Sequence, residues 1–415
     1  MSSMLRVAVF VAIFLLLLGL RFWVYYRDLP VYKNGDKARF ATMLMNEPEV
    51  RGGRQSFIVT DDKGVKISIL SGGVLPYHYG DRLFIDGFFT VKHGRYFIYY
   101  PSIQTINSDH NYLTQLNTYI KNSSKNLINS SIPPVSSSLL LGIVFGGRQG
   151  IQAEFMEKLR TSGVIHVIAA SGMNVTLVAA ALVSLFGRIM KRQYVLLVSM
   201  LGIVFYAFLA GFEPSIVRAT VMAIIGFGAG LLGRQYFALL ALFVTGYIML
   251  FYDPSNIFDI GFQLSFLSTM GILEIKPLFP LQKYFLFEDI GTTISAQLAT
   301  LPILLSIFGQ YGLLSILVNA CVLWTVPYLM IFGALGVVGG FIFVPLGRFF
   351  IWLSFPFLLY FEKIVSFFAD LHWVWEVDEF SWQVGAGYYF FLIAAVLTIK
   401  KIKDQKSKIK AKLKA

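Results

Sequence analysis

The sequence predicts a mostly α-helical membrane protein: a polytopic bundle of about ten spans, with a small β-barrel outside the membrane after the first span. Three observations predict this. First, 56% of the 415 residues are hydrophobic and only 14% are charged, with mean hydropathy +0.67. Soluble domains carry about 25% charged residues, and a chain this poor in polar groups cannot cover a soluble core. A soluble enzyme, a disordered chain and a fibrous protein are excluded. Second, the apolar runs are continuous over about 20 residues rather than alternating over about 10, which argues for helices and against a membrane β-barrel. Third, one polar stretch near the N-terminus alternates with period 2.

The first element, Leu5 to Tyr26, is apolar and long enough to span. It has no small-x-small cleavage pattern before Trp23, Tyr25 and Tyr26, which suit an interface belt. Residues 1–28 therefore read as an uncleaved anchor. Residues 31–107 read as strands at 37–44, 55–60, 65–70, 82–89 and 95–100. Asp61-Asp62-Lys63-Gly64 is a hairpin turn signal, Lys92-His93-Gly94 a second turn, and a short turn fits near Gly72 to Tyr79. Five strands with no helical period suit a small closed barrel of the OB-fold kind. From Val31 to Pro101 ten Lys/Arg stand against seven Asp/Glu, a balance of +3, and aromatics are frequent. Single-strand binders combine a basic groove with stacking rings. Arg82, Lys92, Arg95, Tyr96 and Tyr99 are the contact candidates there, although some of these rings must fill the barrel core.

Residues 108–160 read as a polar linker with interfacial helices. An Asn/Ser-rich helix near the membrane surface ends at Pro133-Pro134, and Ser138 to Phe145 is too short to span, hence interfacial or re-entrant. Residues 161–400 form the membrane domain, with candidate spans at 163–187, 194–211, 214–232, 236–252, 257–275, 291–308, 313–341, 349–370 and 384–399. The 313–341 segment is Gly-rich with Pro327 inside, so a break is expected there. Arg188, Lys191, Arg192, Arg234, Lys276, Lys283 and Arg348 fall on one side; Glu213, Asp253 and the acidic loop at 376–379 fall on the other. From Lys400 to Lys414, eight lysines stand against Asp404, more than half of the chain's net charge of +12. A basic tail, 401–415, is a topology marker and contacts anionic lipid, which puts the tail and the N-terminus on the cytoplasmic side and the barrel on the other.

Polar groups within a bilayer are costly and need a reason. Five clusters carry them. His166 and Asn174 lie at four-residue steps with Ala170, around the small run Ala169 to Gly172, which allows close helix approach or a helix break. Glu213-Pro214 opens a helix that carries Arg218 one turn into the membrane, where it must find a partner or water. Asp259 and Gln263 share a face, as do Thr293, Gln297 and Thr300, with Pro302 freeing a carbonyl below; Asn319 stands alone ahead of Pro327. Interhelical hydrogen bonds can simply hold a bundle together. The other reading is a lined pathway or gate, with Arg218 and Asp259 as a charged pair.

Enzyme chemistry finds little support. Ser171 lies five residues from His166, off one helical face, and no Gly-x-Ser-x-Gly elbow is present. The five histidines are scattered, Cys321 is the single cysteine, and there is no phosphate-cradling glycine loop with lysine. No metal, cofactor or ATP motor is expected.

These clusters, in this order, resemble the ComEC competence family of DNA-uptake channel proteins. His166-Val167-Ile168-Ala169-Ala170-Ser171-Gly172-Met173-Asn174-Val175 is similar to that family's His-leader-Ser-Gly-Leu-His-Val signature, with Asn174 where many members carry a second histidine. Glu213-Pro214-Ser215-x-x-Arg218-Ala219, Asp253-Pro254 with Gly261 to Phe266, and Ala296-Gln297 with Pro302 also match the family's pattern, over about residues 30–400. The resemblance implies an OB-fold after the first span and a channel through which one strand of captured DNA crosses the inner membrane. It also implies a separate nuclease and a cytoplasmic DNA translocase as partners. Many members carry a metallo-β-lactamase-like domain, whose His-x-His-x-Asp-His string this sequence lacks, so a channel-only, non-enzymatic form is expected. A strand of phosphates needs a hydrated path with cations. Arg218 leads as phosphate contact, and His166, Ser171, Asn174, Glu213, Asp259, Gln263, Gln297 and Asn319 are the other pathway candidates. The rivals are a secondary transporter for a small solute, with Asp259 and Glu213 as ion sites, and a membrane scaffold for a separate DNA-uptake nuclease.

Overall fold

The computed structural model describes residues 3–412, apart from 45–47, 52–53, 74–76, 78–80, 93–94, 107–111, 148–149, 169–170, 280–284 and 378–379. The chain is mostly helical, with one N-terminal sheet. The apolar run at the start forms helix α1 (Ser3–Asp28). The alternating segment then forms β1 (Lys37–Met43), β2 (Glu49–Arg51), β3 (Arg54–Thr60), β4 (Lys66–Ser71), β5 (Arg82–Lys92), β6 (Arg95–Tyr99) and β7 (Ser102–Thr105). All five expected strands are present, with β2 and β7 added. The Asp61–Gly64 turn closes the β3–β4 hairpin. Gly64 takes a positive φ of 84°, and the Asp61 carboxylate accepts from the amides of Lys63 at 3.0 Å and Val65 at 2.7 Å. Parts of the other two expected turns, at 72–79 and 92–94, lie outside the described residues.

The strand order is β1-β5-β6-β4-β3-β2, with β4 and β6 parallel and β7 paired to β5. This is a half-barrel, not the closed barrel expected. Closure would need β1 to pair the free edge of β3, but β2 occupies that edge from Arg54 to Ser56. The Thr42 hydroxyl bridges toward β3, donating to the Thr60 carbonyl at 2.7 Å. The inward positions of the period-2 pattern, among them Ile67, Ile69, Leu83, Ile85 and Ile98, form a separate core.

The helical part comprises α2 (Tyr112–Asn129), α3 (Pro134–Phe145), α4 (Ala153–Thr161), α5 (Gly172–Phe186), α6 (Arg192–Leu209), α7 (Pro214–Leu231), α8 (Ala238–Tyr252), α9 (Ile260–Glu274) and α10 (Phe285–Phe308). It continues with α11 (Ser315–Val322), α12 (Val326–Ile342), α13 (Val344–Asp370) and α14 (Trp382–Lys412), and a small β8–β9 ribbon pairs Gln310–Gly312 with Val374–Glu376. Among the described residues six helical stretches are long and apolar enough to cross a membrane: 192–209, 214–231, 290–308, 315–342, 344–370 and 382–403. α3, α5 and α8 are apolar but shorter. The expected span at 163–187 is cut by a turn at Ile165–Val167, and that at 257–275 starts only after a turn at Pro254–Phe258. The 313–341 segment is broken at Leu323–Thr325, just before Pro327.

The sheet packs at the end of the bundle that carries Asp253. Lys66 of β4 pairs with Asp253 at 3.2 Å, Tyr25 of α1 donates to the Gly64 carbonyl at 3.2 Å, and Arg21 donates to the Phe251 carbonyl at 3.1 Å. At the opposite end, Lys400 pairs with Glu274, and Lys403 donates to the Pro277 carbonyl at 2.9 Å. α2, expected near the membrane surface, packs on the bundle from Asn117, which donates to the Phe208 carbonyl, to Leu127, which packs on Gly340. α3, expected to be interfacial or re-entrant, is buried along most of its length.

Candidate functional site

The site is built where helices stop inside the bundle. α3 ends at Phe145, and α5 begins at Gly172; between them the chain passes through α4 and the turn at Ile165–Val167. Ser171 is extended, with φ −118° and ψ 166°, so His166 and Asn174 do not share one helical face as the spacing predicted. The small run breaks the helix, and Ala169 and Ala170 lie outside the described residues. Non-helical backbone at membrane depth is tolerated where protein buries it or where it lines a cavity.

His166 lies on the turn at Ile165–Val167, and its side chain is exposed. Asn174, 1% exposed, donates to the Ile143 carbonyl at 2.9 Å, satisfying a last-turn carbonyl of α3, and accepts from the Ser171 hydroxyl at 3.3 Å. The buried Tyr206 hydroxyl of α6 approaches Asn174 without a well-aligned hydrogen bond.

Arg218 of α7 lies beside the start of α5. A Cβ on Gly172 would stand 3.0 Å from its Nη2. Arg218 is 7% exposed and, among the described residues, is the only buried charged side chain of the helical part. Its expected partner was Asp259. The structure corrects this: Arg218 Nε donates to Ser265 Oγ of α9 at 2.6 Å, and Nη1 touches Met222 Sδ at 3.5 Å. Asp259 is instead the N-cap of α9, accepting from the Phe262 amide at 2.9 Å. Gln263 likewise turns back to the Ile257 carbonyl at 2.7 Å. Both side chains are used locally because the start of α9 leaves free amides and the end of the Pro254–Phe258 turn leaves free carbonyls, which a nearby side chain satisfies before a distant one can. Glu213 takes the N-cap position of α7, before Pro214 in the first turn, as the sequence predicted.

A second polar cluster lies on the other side of the 163–172 connection. Gln297 of α10 donates to Ser315 Oγ at 3.1 Å, Ser315 donates to the Tyr311 hydroxyl at 3.2 Å, and Tyr311 donates back to Gln297 Oε1 at 2.8 Å. Gly163 abuts Ser315, with 2.5 Å from its Cβ position to the serine Cβ. Asn319, 1% exposed on α11, has its Oδ1 unpaired among the described residues and does not join either cluster.

The sheet candidates stand apart from these. Tyr96 packs edge-on against Tyr32 and Phe89, so it belongs to the inner face. Tyr99 points outward, 37% exposed, stacked with Phe97 at 6.0 Å and covered by the Lys92 ammonium at 5.3 Å. Tyr100 would face inward by alternation, but its positive φ of 52° turns it out, where Arg54 lies 6.0 Å from its ring. Arg82 is exposed on β5; the backbone of Arg95 lies in β6, and its side chain lies outside the described residues. Of the candidates, Ser171, Asn174 and Arg218 come together beside the turn that carries His166; Gln297 joins a separate ring; Glu213, Asp259 and Gln263 sit at helix starts; Asn319 joins neither cluster; and Arg82, Lys92 and Tyr99 are exposed on the sheet. Sequence reasoning missed Ser265, Tyr206, Tyr311 and Ser315 as partners. Ser265 lay inside a quoted cluster, but nothing in its spacing pointed to Arg218.

The family model for Competence protein matches residues 143–402. The chain is 26% identical over 273 residues to ComE operon protein 3 of Bacillus subtilis (strain 168), covering 65% of this chain and 34% of that protein. It is 34% identical over 137 residues to an uncharacterized protein of Aquifex aeolicus (strain VF5), covering 32% of each. The matched segments span about a third of the length of these relatives. No solved structure matches the chain.

Proposed function

Since the chain belongs to the competence protein family, we propose that it acts in DNA uptake during transformation, as a multi-pass inner-membrane channel for single-stranded DNA. The observation that carries this reading is a buried Arg218 with no carboxylate partner among the described residues, set beside the start of α5 where the broken connection carrying the exposed His166 ends. A polynucleotide needs a wet, cation-bearing path, and a broken helix at membrane depth is where such a path can open. The half-barrel faces outward at the Asp253 end, with its Phe97, Tyr99 and Lys92 face as a stacking platform. A separate nuclease supplies the single strand, and a cytoplasmic translocase draws it in. The solute-transporter reading has less support, because Asp259 is committed to capping α9.

Deleting the gene in a transformable host and measuring entry of labelled DNA into the cytoplasm, separately from surface binding, tests this. Surface binding with no entry is the expected result. Normal entry with altered solute uptake favours the transporter instead.

A further inference from the structure

A buried guanidinium without a counter-charge is expensive unless something pairs with it. Arg218 is in this position. Its described hydrogen-bond partners are one hydroxyl, Ser265 Oγ, and one thioether, Met222 Sδ, and the Tyr236 phenol stands near it. None of these is a carboxylate. The remaining nitrogen, Nη2, is directed to Gly172, the first residue of the fifteen-residue helix α5.

That helix start is itself uncapped. Ser171 holds the N-cap position, yet its hydroxyl turns to Asn174 Oδ1 and caps no amide. Asn174 N–H is spent on the Ser171 carbonyl at 3.1 Å, whereas the amides of Gly172 and Met173 take no loop partner among the described residues. A helix N-terminus offers free N–H groups and a partial positive charge. Here it faces a fixed cation, and glycine at 172 removes the side chain that would separate the two.

Resting on the DNA-uptake reading, we propose that Nη2 of Arg218 and the Gly172 and Met173 amides form a binding site for one phosphodiester group of the passing strand. Ser265 is the positioning residue, holding Nε so that the other edge of the guanidinium meets the phosphate. The site recognises a tetrahedral oxyanion and ignores the base, as a sequence-independent channel requires. Inorganic phosphate is the corresponding probe.

The test uses the full chain purified in detergent. Inorganic phosphate raises the thermal midpoint of the wild type; Arg218→Lys keeps part of that response and Arg218→Gln loses it. Gly172→Ala, which presses on Nη2, and Ser265→Ala, which frees Nε, weaken it while keeping the charge. A single-stranded oligonucleotide with methylphosphonate linkages binds the wild type about tenfold or more weakly than its phosphodiester counterpart, the scale of a lost charge-assisted hydrogen bond. That difference shrinks in Arg218→Gln. A phosphate response equal in wild type and Arg218→Gln overturns the site. If Arg218→Gln does not fold, an unchanged response in both Gly172→Ala and Ser265→Ala overturns it. A phosphate response that follows Arg218 in a protein whose deletion leaves DNA entry intact keeps the anion site and removes the DNA reading. Full DNA entry with Arg218→Gln in cells removes the passing strand as its ligand.

Discussion

The Tyr388 hydroxyl donates to the Leu298 carbonyl at 2.9 Å, and Leu298 is the residue whose helical donor Pro302 has removed. Tyr389 donates to the next carbonyl, Ala299, at 3.1 Å. Two adjacent tyrosines of α14 thus complete the hydrogen bonding of α10 one turn above its proline, beside Gln297.

This relationship yields a mutant cycle. Tyr388→Phe leaves the Leu298 carbonyl unpaired and costs about 1–3 kcal/mol. In a Pro302→Ala background the helix supplies its own amide, so the same tyrosine change costs less. Unfolding in detergent of the two single mutants and the double mutant measures the coupling; strict additivity would show that the tyrosine does not serve that carbonyl.

The Gln297, Ser315 and Tyr311 ring is closed, each member donating to the next. Gln297→Leu and Tyr311→Phe are therefore non-additive, with a coupling of about 0.5–3 kcal/mol. Chemical unfolding reads this.

Asn174 ties the start of α5 to the end of α3 through the Ile143 carbonyl. Asn174→Leu strands that buried acceptor and lowers stability by about 1–3 kcal/mol. Hydrogen exchange at the two helix ends reports the loss, with faster exchange expected at 172–176 than in α13.

The half-barrel carries an alkaline limit. Partial burial, then the Asp61 carboxylate to which Tyr32 donates at 2.5 Å, push the Tyr32 hydroxyl above its ordinary value. The folded value lies above the unfolded one of about 10. The contribution is therefore whole below about pH 10 and is lost as pH rises through the folded value. Tyrosinate absorbance against unfolding follows this, and Tyr32→Phe removes that part of the alkaline loss.

Much of this molecule was legible before its structure. Hydropathy placed the chain in a membrane, and the period-2 pattern of 37–100 placed all five main strands. Pro214 marked the start of α7, and Pro327 lies just past the break between α11 and α12. Each of these is local: a proline lacks its donor, and a strand shows its pattern, whatever lies across from it. The failures concern partners. Asp259 was matched to Arg218 by charge, but its own helix offered unpaired amides three residues away. His166 and Asn174 share a face only if the helix is continuous; of the two readings of the small run, close approach or a break, the extended backbone at Ser171 decides for the break.

By itself the sequence determined the solvent the protein lives in, the strands of its N-terminal sheet, and the motifs that mark its family, because these follow from composition and short-range spacing. Only the tertiary structure decided that Arg218 meets Ser265 and faces Gly172, that β2 leaves the barrel half open, and that Tyr388 relieves Pro302 from 86 residues away. A buried polar group must be satisfied, but the chain does not record by which neighbour; that is fixed when the helices pack and a donor arrives within reach.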